Sequence, residues 1–74
     1  MEFLVKAREY GTVVIELEGV NELNPETAVQ AAEMAELLHF PGAEDFTVYE
    51  KGNVARGRVI NVRVKRELVA SLVR

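Results

Sequence analysis

The chain has 74 residues, no cysteine, one histidine (His39) and one serine (Ser71). Without cysteine there is no disulfide framework and no thiolate metal site, which fits a reducing, cytoplasmic setting. A Cys–His pair cannot exist, and a Ser–His pair would need the terminal Ser71 to meet His39 by an accident of folding. Glu36 and His39 have the Glu-x-x-His spacing of carboxylate-bridged metal bundles. Such sites draw ligands from several helices, and here there is one helix, so His39 reads as a surface side chain at a helix C-terminus. There is no Gly-x-Gly-x-x-Gly or Walker-type loop, and Gly52 and Gly57 are too isolated to cradle a phosphate. Carboxylates are plentiful, but acids on solvated faces far outnumber catalytic dyads. The expectation is a protein that is not an enzyme and takes no cofactor and no metal.

Long apolar runs are also missing. The longest, such as Leu68 to Ala70, are far too short to span a bilayer, and Met1-Glu2-Phe3 opens no signal-peptide pattern. The chain therefore reads as neither secreted nor membrane-embedded. Its length leaves room for one small domain over residues 1–74, with one modest core and thin stability, so self-association would help it.

What the chain does have is a charge asymmetry. Residues 1–50 set Lys6 and Arg8 against eleven acids, a net of −9, while residues 51–74 set seven bases against Glu67 alone, a net of +6. Either two charged faces fold against each other, or one face is kept for a partner.

Phe3 to Arg8 and Thr12 to Glu18 are rich in β-branched and aromatic residues, with Tyr10-Gly11 between them, which is a hairpin pattern. In the second run Val13, Ile15 and Leu17 share one face, and Glu16 and Glu18 the other. Asn24-Pro25-Glu26 then opens a helix, with Asn24 as cap, Pro25 at the first helical position and Glu26 against the helix dipole. Ala28, Ala31, Ala32, Ala35 and Leu38, with Met34 and Leu37 slightly offset, make its apolar stripe; Glu26, Gln30, Glu33 and Glu36 fall opposite. The helix runs from about Pro25 to His39 and is ended by Pro41-Gly42. Phe46 to Tyr49 reads as a third strand, Lys51-Gly52-Asn53 as a turn, and Arg58 to Arg66 as a fourth strand, with Ile60, Val62 and Val64 inward and Asn61, Arg63 and Lys65 outward. Glu67 to Arg74 fits a short terminal helix.

The expected fold is thus a small α+β domain: a four-stranded sheet in ββαββ order, β-grasp-like, with one helix packed on one face. The opening Met1 to Lys6, the turn near Gly11, the strand Val13 to Glu18 and the helix after Asn24-Pro25-Glu26 resemble the first half of the ubiquitin-like family over about 40 residues. Members that conjugate or carry sulfur end in Gly-Gly, whereas here the last residues are Ser71-Leu72-Val73-Arg74. The resemblance implies a binding module of similar shape. A four-stranded antiparallel sheet with one helix satisfies the same pattern.

Three surfaces are candidates for function. Glu26, Glu33 and Glu36 form an acidic helix face suited to a basic protein partner. Leu68, Val69, Leu72 and Val73 expose apolar area that a homodimer would cover. Finally, Arg58, Asn61, Arg63 and Lys65 give the fourth strand a basic face. The run Arg58 to Leu68 resembles the strand and helix start of ribbon-helix-helix repressors, whose paired strands enter the major groove. That resemblance implies Asn61, Arg63 and Lys65 as base-facing residues, although the chain ends at Arg74 without a second helix. An overall pI of 5.1 opposes general nucleic-acid binding. The first reading is a non-enzymatic protein-interaction module that self-associates; the second is a nucleic-acid binder. If Glu16 and Glu18 lay across from Arg63 and Lys65, the basic strand would be neutralised internally and the second reading would weaken.

Overall fold

Alternating side chains at the N-terminus build a hairpin of β1 (Glu2–Ala7) and β2 (Gly11–Glu16). In the computed structural model, which describes residues 1–53 and 57–64, these are followed by α1 (Pro25–Leu38), β3 (Asp45–Glu50), a single 3-10 turn (Lys51–Asn53) and β4 (Val59–Arg63). The hairpin turn is Arg8 to Tyr10, one step earlier than the sequence pattern placed it. The Tyr10 amide donates to the Ala7 carbonyl at 3.0 Å. Glu9 sits at φ +69°, in the left-handed region where a side chain is strained.

The helix begins as its sequence demands. Asn24 Oδ1 accepts from the Thr27 amide at 2.9 Å and the Asn24 amide donates to Thr27 Oγ1 at 2.9 Å, so two otherwise orphaned donors are satisfied reciprocally. Pro25 then supplies a fixed φ where no donor is needed. At the other end the Phe40 amide donates to the Ala35 carbonyl, and Pro41-Gly42 turns the chain back, with Gly42 at φ +92°.

The sheet order is β2-β1-β3-β4, antiparallel at every pairing. Of the two strand arrangements that the sequence pattern satisfies, the pairings are those of the all-antiparallel sheet. Both β2 and β3 run against β1, so they are parallel to each other, and α1 carries the chain over β1 between them in a split β-α-β crossover. One sheet face meets the helix. Phe3, Val5, Ala7, Ile15, Phe46, Val48 and Val62 pack with Leu17, Leu23 and Ala43 against Ala28, Ala31, Ala32 and Ala35, all four alanines being fully buried. Small side chains let the helix backbone lie close to the sheet, so the core stays thin and well filled.

The apolar stripe of the helix is narrower than its spacing suggests. Leu37 and Leu38 are 67% and 62% exposed and Met34 is 38% exposed, so of the stripe only the four alanines are buried. The buried side chain of that last turn is Glu36, only 4% exposed, whose Oε2 accepts from the Gly42 amide at 2.8 Å.

An open sheet face as candidate interaction surface

Strand register places the side chains of the uncovered face in rows that run across the strands. Leu4 stands opposite Val14 on one side and Tyr49 on the other, and Tyr49 stands opposite Val59. These four residues, one from each strand, form an apolar row from edge to edge. Val14 and Val59 are 43% and 48% exposed, and Leu4 and Tyr49 are half-buried between them. No element among the described residues covers this face.

On one side of the apolar row lie Thr12, Lys6, Thr47 and Asn61, again one per strand. Thr47 Oγ1 and Asn61 Oδ1 are joined by a hydrogen bond of 3.0 Å. Beyond them Arg8, Asp45 and Arg63 close the face, the Arg8 amide donating to the Asp45 carbonyl and Arg63 Nε to Asp45 Oδ1 at 3.1 Å. The hydrogen bond to Asp45, and then its charge, hold the Arg63 guanidinium above its ordinary value; Glu44 adds a smaller push, and desolvation opposes both. Lys6, Arg8, Asp45, Thr47, Asn61 and Arg63, with Tyr49, line a shallow basin of about 480 Å³. Lys6 and Arg8 form no ion pair among the described residues, so three cations in the basin face one carboxylate.

On the other side of the apolar row stand Glu2 and Glu16, directly opposite one another. Glu2 Oε1 meets Lys51 Nζ at 3.4 Å, and Glu16 Oε2 meets the Met1 amino group at 3.0 Å. All these pairs are open to solvent, where such contacts contribute about 0–1 kcal/mol.

The surfaces anticipated from sequence divide differently in space. Glu26 and Glu33 are exposed on the outward side of α1, but Glu36 is buried and faces Gly42, so it does not belong to an acidic face. Asn61 and Arg63 come together at the basin and Arg58 is exposed just before β4. Lys65 lies outside the described residues, as do Leu68, Val69, Leu72 and Val73 and the proposed terminal helix. The opposition of Glu16 to Arg63 does not occur: β2 and β4 are the two edges of the sheet, and Asp45 is the partner of Arg63. Lys6, Arg8 and the apolar row went unremarked as a surface in the sequence, although the outward positions of each strand could be read from its alternation. What sequence alone withholds is the register that aligns them.

Among the described residues, no buried side-chain nitrogen or oxygen lacks a partner, and no helix is long and apolar enough to cross a membrane. No protein-family model, curated protein or solved structure matches the chain.

Proposed function

We propose that this protein is a non-enzymatic protein-interaction module of the cytoplasm that binds through the uncovered face of its sheet and self-associates. The observation that carries this reading is the row Val14–Leu4–Tyr49–Val59. An antiparallel sheet with one wet face normally alternates apolar inward and polar outward, and here the outward set is interrupted by a complete apolar row. An apolar strip rimmed by charged and polar side chains has the anatomy of an interface: a desolvated centre and a wet rim. The ubiquitin-like spacing of residues 1–40 points the same way. The exposed pair Glu26 and Glu33 offers a second, smaller surface to a basic partner.

The test compares faces. Crosslinked complexes captured from a cell extract with the native protein are to be lost with Val14→Asp/Val59→Asp and retained with Leu37→Asp on the outer helix. Loss with the helix variant alone would move the binding surface to α1.

A second reading, nucleic-acid binding, draws on the basin, where Lys6, Arg8 and Arg63 gather around Asn61 and Tyr49. Cations would meet phosphates while an aromatic ring offers a base a stacking surface. Fluorescence anisotropy of a labelled DNA duplex at two salt concentrations tests it. A complex that fades with salt and with Lys6→Glu supports it; an unchanged signal at low salt removes it.

A further inference from the structure

We infer that β2 pairs edge to edge with β2 of a second copy, antiparallel about a two-fold axis through Val14, so that the two sheets join into one. This specifies the self-association read above. It uses the edge of the sheet and not its open face, so it stands apart from what that face binds.

The hairpin ladder decides which groups the edge offers. The Leu17 amide donates to the Met1 carbonyl at 3.0 Å and the Met1 amino group to the Leu17 carbonyl at 2.9 Å, which makes Met1 and Leu17 a hydrogen-bonded pair. In an antiparallel ladder such pairs alternate with pairs that exchange no bond. Phe3–Ile15, Val5–Val13 and Ala7–Gly11 therefore bond across the hairpin, whereas Glu2–Glu16, Leu4–Val14 and Lys6–Thr12 do not. The main-chain N–H and C=O of Thr12, Val14 and Glu16 thus point away from β1. All three residues are exposed, and these groups meet no partner among the described residues.

A second β2 satisfies all of them at once. With Val14 opposite the partner's Val14, Thr12 comes opposite the partner's Glu16 and Glu16 opposite the partner's Thr12, each a hydrogen-bonded pair. The axis stands perpendicular to the sheet, so both helices stay on one side. On that side Val13 and Ile15 come opposite the partner's Ile15 and Val13, and apolar meets apolar beside the two cores. Sliding one copy to the next register that keeps N–H facing C=O sets Glu16 against Tyr10 of the turn, or Thr12 against Glu18 beyond the strand. A further step in the latter direction sets Glu16 against itself. Parallel pairing turns one copy over and puts its helix beside its partner's open face. The register centred on Val14 is the one that leaves no edge group open and no carboxylate facing another.

The two edges of the sheet are not alike. β2 keeps unbroken register with β1, is β-branched at every position from Thr12 to Ile15, and carries no lysine, arginine or proline. A strand of this kind is a template for another. Its one charge, Glu16, is already matched by the Met1 amino group at 3.0 Å. At the far edge the Val64 amide donates to the Glu44 carbonyl, so by the same alternation Val59, Asn61 and Arg63 turn their main chain outward. There Arg63, with Arg58 just ahead of β4, supplies the cations that guard an edge. Joined through β2, the two apolar rows become one strip across both sheets, roughly 35 Å long at about 4.8 Å per strand.

Residue-resolved amide exchange on the native protein reads the edge directly. From about 20 µM to about 1 mM, exchange at Thr12, Val14 and Glu16 is expected to slow at least about threefold, and at Val13 and Ile15, bonded to β1 in either state, to change less. Sedimentation equilibrium over the same range is expected to show a reversible dimer that Val14→Pro weakens at least tenfold. Proline at this position removes no hairpin bond, because the Val14 N–H points outward. Val14→Lys, which sets like charges face to face, is the second variant should proline disturb the fold. The chain has no cysteine, so introduced thiols report the register. Val14→Cys is expected to oxidise to a linked dimer, since the Cα separation of a hydrogen-bonded pair, about 5.5 Å, lies within disulfide reach. Thr12→Cys is expected to couple with Glu16→Cys faster than with itself, and equal coupling overturns the register. A dimer indifferent to Val14→Pro and Val14→Lys, with edge amides that exchange as in the monomer, overturns the inference and leaves self-association to another surface. Species that grow beyond the dimer overturn it in favour of β2 meeting β4 head to tail. A monomer throughout overturns both the inference and the self-association, while Val59→Asp in the capture comparison still decides what the open face does.

Discussion

Glu36 Oε2 accepts a hydrogen bond from the Gly42 amide at 2.8 Å, six residues later in the chain. A carboxylate in the last turn of the helix thus ties down the loop that carries the chain from α1 into β3. The bond is shielded, since Glu36 is buried. Replacing Glu36 with Ala leaves the Gly42 amide without this acceptor and is expected to cost about 1–3 kcal/mol, whereas Glu36→Gln keeps an acceptor oxygen and loses less. Urea unfolding of the two variants, compared by midpoint at constant slope, checks the order.

The hairpin turn holds Glu9 at φ +69°. Glycine adopts this conformation without a Cβ penalty, so Glu9→Gly is expected to stabilise the fold by roughly 0.5–1 kcal/mol, the relief of turn strain exceeding the added freedom of the unfolded chain. For a domain of this size the melting temperature should rise by about 2–8 °C. A fall in melting temperature would mean that the Glu9 side chain contributes more than its backbone costs.

At the N-terminus of α1, Asn24→Ala removes the oxygen that receives the Thr27 amide. The expected loss is about 1 kcal/mol, with Asn24→Asp or Asn24→Ser retaining most of it. Amide exchange at Thr27 is to accelerate in the alanine variant before exchange in β1 does.

Ala31 and Ala32 are fully buried where the helix crosses the sheet. Ala32→Leu should destabilise by about 1–3 kcal/mol, because the added volume forces the helix away from the sheet. Equal stability in thermal melts of this variant and the parent would show that the layer between helix and sheet is looser than its burial implies.

Much of this architecture was legible because local chemistry and global fold agree. Asn24, Pro25 and Pro41-Gly42 announce the helix, and the alternation of Val13, Ile15 and Leu17 against Glu16 and Glu18 announces the buried face of the hairpin. Glu36 and Leu38 were misassigned by periodicity, which takes no account of the loop that follows the helix; there a leucine faces water and a glutamate finds a backbone amide. The candidate surface was least legible. Leu4, Val14, Tyr49 and Val59 come from all four strands, and only the pairing of β1 with β3 brings the hairpin's outward residues beside those of the second half. A charge count along the chain separated acidic from basic residues, whereas the fold sets Lys6 and Arg8 of the acidic half beside Arg63 of the basic half.

The strand order also sets a timetable. β1 is made before β2, β3 and β4 and lies inside the sheet, yet its second neighbour, β3, begins with Asp45. At ribosomal speeds of about 5–20 residues per second, roughly 2–8 seconds separate the synthesis of the two strands. Through that interval the nascent hairpin carries an unpaired edge along β1 and an apolar surface waiting for its helix. The three charged side chains of β1 and its turn that point outward, Glu2, Lys6 and Arg8, are in place throughout that interval, and a charged edge of that kind discourages one nascent chain from pairing with the next.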